Sequence, residues 1–497
     1  LIAFIARWPS SGESFWLDEL HSAWCVSGSF AQVNDRALIG NQQPLYFQAL
    51  FLWWRCLPQA IVSFYGVEAS LRFTSVLLTS LSAAWLTWIV SKGDNRHCLV
   101  AGVTAGLALG LERNSLFFGT ELRPYAVVML LTTALLAAAL RWSSPAETSR
   151  RSVIDRILVH VLVMFAAAIH VTSLTVLGPL FVVMIVHDVW RGGRDVRSRK
   201  LPWRTHGCCL AVWIAVAVWW AVHKTELWQS RGAWSSFATA KNWSDIWRLW
   251  PWASLVVLPV LAWGFMLIVV KIRSDSGQAL RQEKTSNRHD LWALTLFGVV
   301  IVSTLACYLL SVYGSVPLWH SRYLIASVPL LCAATGWMVG SCSRLALPLS
   351  LACISLMVYS QNTFSPPLRG ESRLVYRGEN WKSAIAWVRD TALPNGRVWI
   401  DAGLIEQNNT PTDVSDPQLE EYLRYVAAGP YQLDSQTHVE GKGHGAIAAW
   451  LAFARDPEQA ELPPQFLITR RSLSRRHPLP PQIIARRFGS VTILIRQ

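Results

Sequence analysis

Long apolar runs broken by short polar segments set the pattern of this chain. A helix rising roughly 1.5 Å per residue needs about 20 apolar residues to cross about 30 Å of hydrocarbon. Candidate runs fall at 1–8, 66–90, 98–113, 124–141, 156–170, 172–189, 207–223, 253–271, 291–313, 322–340 and 344–360. They predict about eleven transmembrane helices. The first is expected to be truncated, since the chain opens at Leu1 inside an apolar run and without a Met. The block 156–189 is too long for one span and slightly short for two, and His170, Thr172 and Ser173 interrupt it.

Charge decides how that block is read. Basic residues concentrate at 91–97 (Lys92, Arg96), 141–156 (Arg141, Arg150, Arg151, Arg156), 190–206 (Arg191, Arg194, Arg197, Arg199, Lys200, Arg204) and 271–290 (Lys271, Arg273, Arg281, Lys284, Arg288). The positive-inside rule places all four in the cytoplasm. That works only if 156–189 crosses twice, as a helical hairpin turning near His170. The N-terminus then lies inside, and 9–65, 114–123, 224–252, 314–321 and everything after 360 lie outside.

Two of the external stretches are too patterned to be connectors. Within 9–65, Leu17–Ser27 and Pro44–Leu57 each read as an interfacial amphipathic helix rich in aromatic side chains. Pro44 suits a first turn, and Trp24, Trp53 and Trp54 suit the headgroup level. After 360 the apolar density drops. Helices are predicted at 379–390, 417–427 and 445–455, and strands at 397–402, 465–469 and 491–495. The expected fold is an α-helical polytopic membrane domain over 1–360, including the 9–65 loop, and a soluble C-terminal α/β domain over 361–497.

Composition agrees: 52% of the 497 residues are hydrophobic, 27 are Trp, and only 15% are charged. A net charge of +14 would suggest nucleic acid in a soluble protein. Here the bases sit in short loops beside apolar runs, so topology and anionic lipid account for them, and nucleic acid is excluded as a partner. The nine cysteines show no CxxC spacing. Cys25 and Cys56 share the first external loop and are candidates for a disulfide. The vicinal Cys208–Cys209 and most of the others read as small buried apolar residues.

Candidate chemistry gathers at the external face. Asp18 and Glu19 stand side by side in FWLDELHSAW, followed by His21; carboxylates against a membrane exit point to a functional site. They also suit the first turn of a surface helix. Four further stretches fall on the same side: NQQPLYF (41–47), GVEASLRFTSVL (66–77), TELRPYA (120–126) and HSRYLIASVP (320–329). Glu68 and Arg72, four apart, also fit an intramembrane ion pair. Arg123 also fits an arginine snorkelling at a helix end, and His170 a hydrogen-bonded turn residue. The loop at 224–252, with Lys224, Arg231, Lys241 and its tryptophans, reads either as a flank of the substrate headgroup or as a solvated interfacial loop.

Taken in order, Asp18–Glu19, Pro44–Tyr46, Glu68–Arg72, Arg123–Tyr125 and Arg322–Tyr323 resemble the motifs of integral-membrane glycosyltransferases of the GT-C type. The group resembled is the polyprenyl-phosphate-sugar transferases that include protein O-mannosyltransferases and aminoarabinose transferases. The resemblance spans roughly residues 10–340 and departs at Gln42–Gln43, where the family often has His-Pro. It implies an inverting transfer from a polyprenyl-phosphate-linked sugar to a hydroxyl on a lipid, glycan or protein, at the periplasmic face of the cytoplasmic membrane. It implies Asp18 as base with Glu19 beside it, and Arg123, Tyr125, Arg322 and Tyr323 on the donor phosphate. His21, Gln42, Gln43, Tyr46, Glu68, Arg72 and His320 are expected at the substrate. No His/Asp/Glu cluster has metal-ligand spacing, so no cofactor is required and a divalent ion is left open. The competing class is a transporter or a flippase of lipid-linked sugar. Such proteins place polar, broken-helix features near the midplane in related halves, and this chain repeats nothing.

Overall fold

The computed structural model describes residues 1–93, 96–142, 149–192, 200–223, 238–275, 286–314, 316–392, 396–404, 410–433, 436–455, 464–471 and 479–496. The chain is mostly helical, with one five-stranded sheet near its C-terminal end. It divides into two compact units, one of Leu1–Pro9 with Thr74–Val375 and the other of Ser10–Phe73 with Tyr376–Gln497. The first loop therefore groups with the C-terminal segment, a partition that differs from a boundary at 360.

In the first unit a helix lies at each expected apolar run that it contains. The ambiguous block resolves into helices Ser149–Ile169 and Leu174–Gly192, parted at His170 by the short turn Val171–Ser173. Its hinge is local: Thr172 Oγ1 lies 2.8 Å from His170 Nε2. Among the described residues of the whole chain, five helical segments are long and apolar enough to cross a membrane. These are Gln59–Val90, Tyr125–Trp142, Val171–Asp188, His289–Tyr313 and Ser343–Ser360. The chain is thus a polytopic membrane protein.

Helix Ser327–Ser341 is buried along nearly all of its length and packs on Arg96–Leu111, Ser286–Tyr313 and Tyr125–Trp142. Small residues make the first of these contacts possible. A Cβ added at Gly336 would lie 2.5 Å from the Ala101 carbonyl oxygen, and one at Gly340 2.8 Å from Ala101 Cβ. In hydrocarbon, where burial drives helices together only weakly, such close backbone approach supplies the packing. Arg7, fully buried, donates to the carbonyls of Leu109 and Gly110 and to Ser115 Oγ. It satisfies carbonyls at the buried C-terminal end of Arg96–Leu111, where positive charge also suits the dipole.

In the second unit the sheet runs β2-β1-β3-β5-β4, with β1 Arg397–Asp401, β2 His438–Gly441, β3 Phe466–Thr469, β4 Ile483–Phe488 and β5 Val491–Arg496. β1 pairs parallel with β2 and β3, while β3–β5 and β5–β4 are antiparallel. Alternation along the strands gives the sheet two apolar faces. Trp399, Leu467, Leu494 and Ile483 pack with Trp450 and Leu451 of helix Ala446–Arg455. Phe466 and Phe488 meet Trp387 of helix Trp381–Thr391. Strands β2 and β4 were not expected from the sequence.

The first loop forms helices Leu17–Ser27, Gln32–Ile39 and Pro44–Cys56, and Gln59–Val90 follows with a break at Gly66 (φ 84°). Leu17–Ser27 corrects the interfacial reading, because most of its residues are buried by protein. Its Trp24 has no exposed surface and stacks on Tyr422 of helix Pro417–Ala428, with ring centroids 4.9 Å apart. Cys25 and Cys56 form no disulfide: Cys25 is buried, with Sγ 3.6 Å from His21 Nε2, and Cys56 is exposed.

Candidate functional site

Asp18 and Glu19 occupy the first turn of Leu17–Ser27, where carboxylates suit the unbonded amides. Their surroundings differ sharply. Glu19 is fully buried, and Arg72 grips it with two bonds, Nε to Oε1 at 2.7 Å and Nη2 to Oε2. Arg72 also donates to the carbonyls of Ser11, Glu13 and Ser14 and lies over the Phe15 ring, 5.0 Å from its centroid. Arg377 brings a second guanidinium to 3.6 Å from Glu19 and donates to Glu13 at 2.9 Å. A buried charge is tolerable only when paired and bonded in this way. Glu19 is the anchor of the loop; Asp18, one position away, is half-exposed.

The expected Glu68–Arg72 ion pair does not form, because Arg72 is taken by Glu19 and Glu68 receives Lys382 Nζ at 3.0 Å. His21 is buried, with Nε2 2.9 Å from the Arg36 carbonyl and its ring edge-on to Phe47 and Tyr422. Tyr46 is buried edge-on to Phe47. Gln42 and Gln43 are half-exposed at the start of Pro44–Cys56.

The C-terminal segment of the same unit holds the acidic stretch in place. Glu379 Oε2 accepts the Leu17 N–H at 2.9 Å, and Tyr431 Oη accepts the Phe15 N–H at 2.7 Å. Ser14 Oγ accepts the Lys382 N–H at 3.1 Å, while Glu421 accepts from Trp24 Nε1 and Arg36 Nη2. Burial is the main reason why the Tyr431 phenol is held well above its usual range, with Glu68 adding to it. Sequence reasoning missed Arg377, Glu379 and Tyr431.

A second cluster lies in the other unit. Arg123 follows a tight turn in which its N–H donates to the Glu121 carbonyl at 2.8 Å. Tyr125 opens helix Tyr125–Trp142, edge-on to Phe118 and to His170 at 5.0 and 5.3 Å between ring centroids. Arg322 sits in the turn Ser321–Leu324, whose cap His320 accepts the Arg322 N–H through Nδ1 at 3.2 Å. The Arg322 guanidinium is 5.3 Å from the Tyr323 ring centroid, and that ring is 6.4 Å from His170. Arg123 and Arg322 are 5% and 6% exposed. The predicted phosphate-site residues Tyr125 and Tyr323 thus flank with their rings a histidine that the sequence marked only as a turn residue. Ser321 also lines a polar cleft of about 310 Å³ with Arg113, Asn114, Arg248 and Gln361.

Among the described residues, no three His, Cys, Asp or Glu side chains gather as a metal-ligand set. Lys241 is exposed, while Lys224 and Arg231 lie outside the described residues.

No protein-family model matches the chain, and no curated protein matches it. Among solved structures its backbone is similar to ArnT from Cupriavidus metallidurans in the apo state, at 11% identity and a TM-score of 0.38, over 98% of this chain and 95% of that one. ArnT bound to undecaprenyl phosphate gives 11% identity and a TM-score of 0.37, over 99% and 95%. The Archaeoglobus fulgidus oligosaccharyltransferase, in complex with Zn and sulfate, gives 10% identity and a TM-score of 0.39, over 86% of this chain and 59% of that one.

Proposed function

We propose that this protein is an inverting membrane glycosyltransferase. It moves a sugar from a polyprenyl-phosphate donor to a hydroxyl acceptor at the outer face of the cytoplasmic membrane. The observation that carries the reading is the pair of buried arginines, Arg123 just before Tyr125 and Arg322 beside the Tyr323 ring, where both tyrosine rings flank His170. Two guanidiniums gathered at helix ends of a polytopic membrane protein suit a lipid-borne phosphate, because their planar forks donate paired bonds to its oxygens.

In this mechanism Asp18 accepts the proton of the acceptor hydroxyl as that oxygen forms its bond to C1 of the sugar. The C1–phosphate oxygen bond breaks on the opposite side, and its electron pair leaves with the polyprenyl phosphate. Arg123 and Arg322 stabilise the negative charge that grows there, with the Tyr125 and Tyr323 hydroxyls as further donors. One carboxylate is enough, because the phosphate leaves as an anion without protonation. Glu19, gripped by Arg72 and Arg377, holds the turn that presents Asp18.

The test is mass spectrometry of envelope glycans, glycolipids and glycoproteins from cells lacking the gene, complemented with wild-type chain or with Asp18→Asn. The expected result is a mass increment of one sugar with wild type and none with Asp18→Asn, whose purified chain still binds undecaprenyl phosphate. Full transfer by Asp18→Asn would overturn the reading and favour a flippase.

A further inference from the structure

Four separate segments of the first unit meet around the cleft of about 310 Å³, which Arg113, Asn114, Arg248, Ser321, Ser360 and Gln361 line. Local bonds hold these segments together. Asn114 Nδ2 donates to the Leu249 carbonyl at 3.3 Å, and Gln361 Oε1 accepts the Arg113 N–H at 3.0 Å. Turn Ser321–Leu324 packs on helix Arg113–Phe118.

Most polar groups of the walls are already used. Glu112, fully buried, accepts from the Ser115 N–H, Asn114 Nδ2 and Gln361 Nε2 at 2.7, 3.0 and 2.7 Å. Ser360 Oγ donates to the Met357 carbonyl at 3.1 Å. Asp245, three positions before Arg248, accepts the N–H groups of Lys241 and Asn242 at 2.9 and 3.0 Å. What remains is the two guanidiniums of Arg113 and Arg248 and the hydroxyl of Ser321. Among the described residues these three side chains make no hydrogen bond or ion pair. Two forked cations and a hydroxyl lining one hollow suit a phosphate, whose oxygens take paired N–H bonds. The volume lies at the small end of ligand sites, about 300–1,000 Å³, which fits a headgroup.

We propose that this cleft is a second phosphate site, separate from Arg123 and Arg322, and that it takes the phosphomonoester of an anionic membrane lipid. Its four segments fall at or beside the loops expected outside, where topology itself asks for no basic residues. Trp243 and Trp247, 58% and 67% exposed on the segment that carries Arg248, suit the headgroup level and favour a lipid as the source of the phosphate. A monoester offers three acceptor oxygens, one for each unused donor; a diester has one fewer to offer. Ser321 immediately precedes Arg322, so an occupied cleft adjoins the turn assigned to the sugar donor. The proposal concerns binding alone and does not depend on Asp18 acting as the base.

The test titrates full-length protein in detergent with short-chain phosphatidic acid, phosphatidylglycerol or inorganic phosphate, and reads bound molecules by native mass spectrometry. Phosphatidic acid, the monoester, is expected to bind more tightly than phosphatidylglycerol, the diester. Arg113→Gln and Arg248→Gln are each expected to weaken phosphatidic acid binding about 10-fold or more. Both side chains are exposed, so the melting temperature is expected to hold. Arg123→Gln is expected to leave this binding in place. Loss confined to Arg123→Gln overturns the proposal, as does equal binding of both lipids with no response to Arg113 or Arg248. Displacement of the lipid by equimolar inorganic phosphate overturns the assignment to a lipid. Should an arginine variant not fold, Ser321→Ala is the second readout, expected to narrow the preference for monoester over diester about fivefold; an unchanged preference there overturns the proposal.

Discussion

Helix Tyr125–Trp142 ends in two polar clusters of opposite kind. At its C-terminal end Trp142 Nε1 donates to Asp188 at 3.0 Å, and Arg156 holds the same carboxylate with two bonds of 2.8 and 3.0 Å. His206 Nε2 lies 3.1 Å from Asp188 and joins His160 through its other nitrogen at 3.0 Å. One acid there answers the cation, and four helices are tied by matched charge. At the other end, roughly 27 Å away by helix rise, the Tyr125 and Tyr323 rings flank His170 and the Arg322 guanidinium lies 5.3 Å from the Tyr323 ring centroid. Matched charge in a membrane protein closes a joint. The other end holds Arg123 and Arg322, the proposed seat of the donor phosphate.

Breaking the closed end is the largest effect expected. Asp188→Ala leaves Arg156 buried without its carboxylate, a loss of about 3–5 kcal/mol, which thermal unfolding in detergent will show as a large fall in melting temperature. At the other end, Arg123→Gln or Arg322→Gln removes a charge-assisted contact worth about 1.5–3 kcal/mol. Each is expected to weaken undecaprenyl phosphate binding about 10- to 100-fold with little change in melting temperature. If instead those variants melt early and bind normally, the contrast between the two ends is wrong. Tyr323→Phe removes a neutral donor and is expected to cost about 1 kcal/mol of binding, about fivefold. The smallest effect belongs to Arg141, paired with Asp155 at 3.3 Å but 48% exposed along its side chain. Arg141→Ala is expected to change stability by no more than about 1 kcal/mol, reduced further by salt.

The helices were legible in the sequence because hydrocarbon imposes a length and a composition that need no partner to recognise. Even the split at His170 followed from loop charge. Elements whose character depends on a distant partner were not legible. The aromatic face of Leu17–Ser27 looked interfacial, yet it is covered by Pro417–Ala428, nearly 400 positions away at the Trp24–Glu421 bond. Strand β4 carries Arg486 and Arg487 on an exposed edge, which spoils alternation, and β2 is only four residues long. At the acidic loop the sequence showed Asp18 and Glu19 as a matched pair. Only the fold distinguishes the half-exposed one from the one locked by Arg72, 53 positions on. Glu379 was invisible because its partner is a backbone amide 362 residues upstream.

That long-range stitching has a consequence for synthesis. The ribosome makes Ser10–Phe73 early, yet the groups that complete its bonding, Arg377, Glu379, Lys382, Glu421 and Tyr431, emerge only in the last quarter of translation. Until then Arg72 is the cation at hand for Glu19, while Arg377 and Lys382 are not yet made to meet Glu13 and Glu68, so the turn that carries Asp18 acquires its final setting only as the chain is completed.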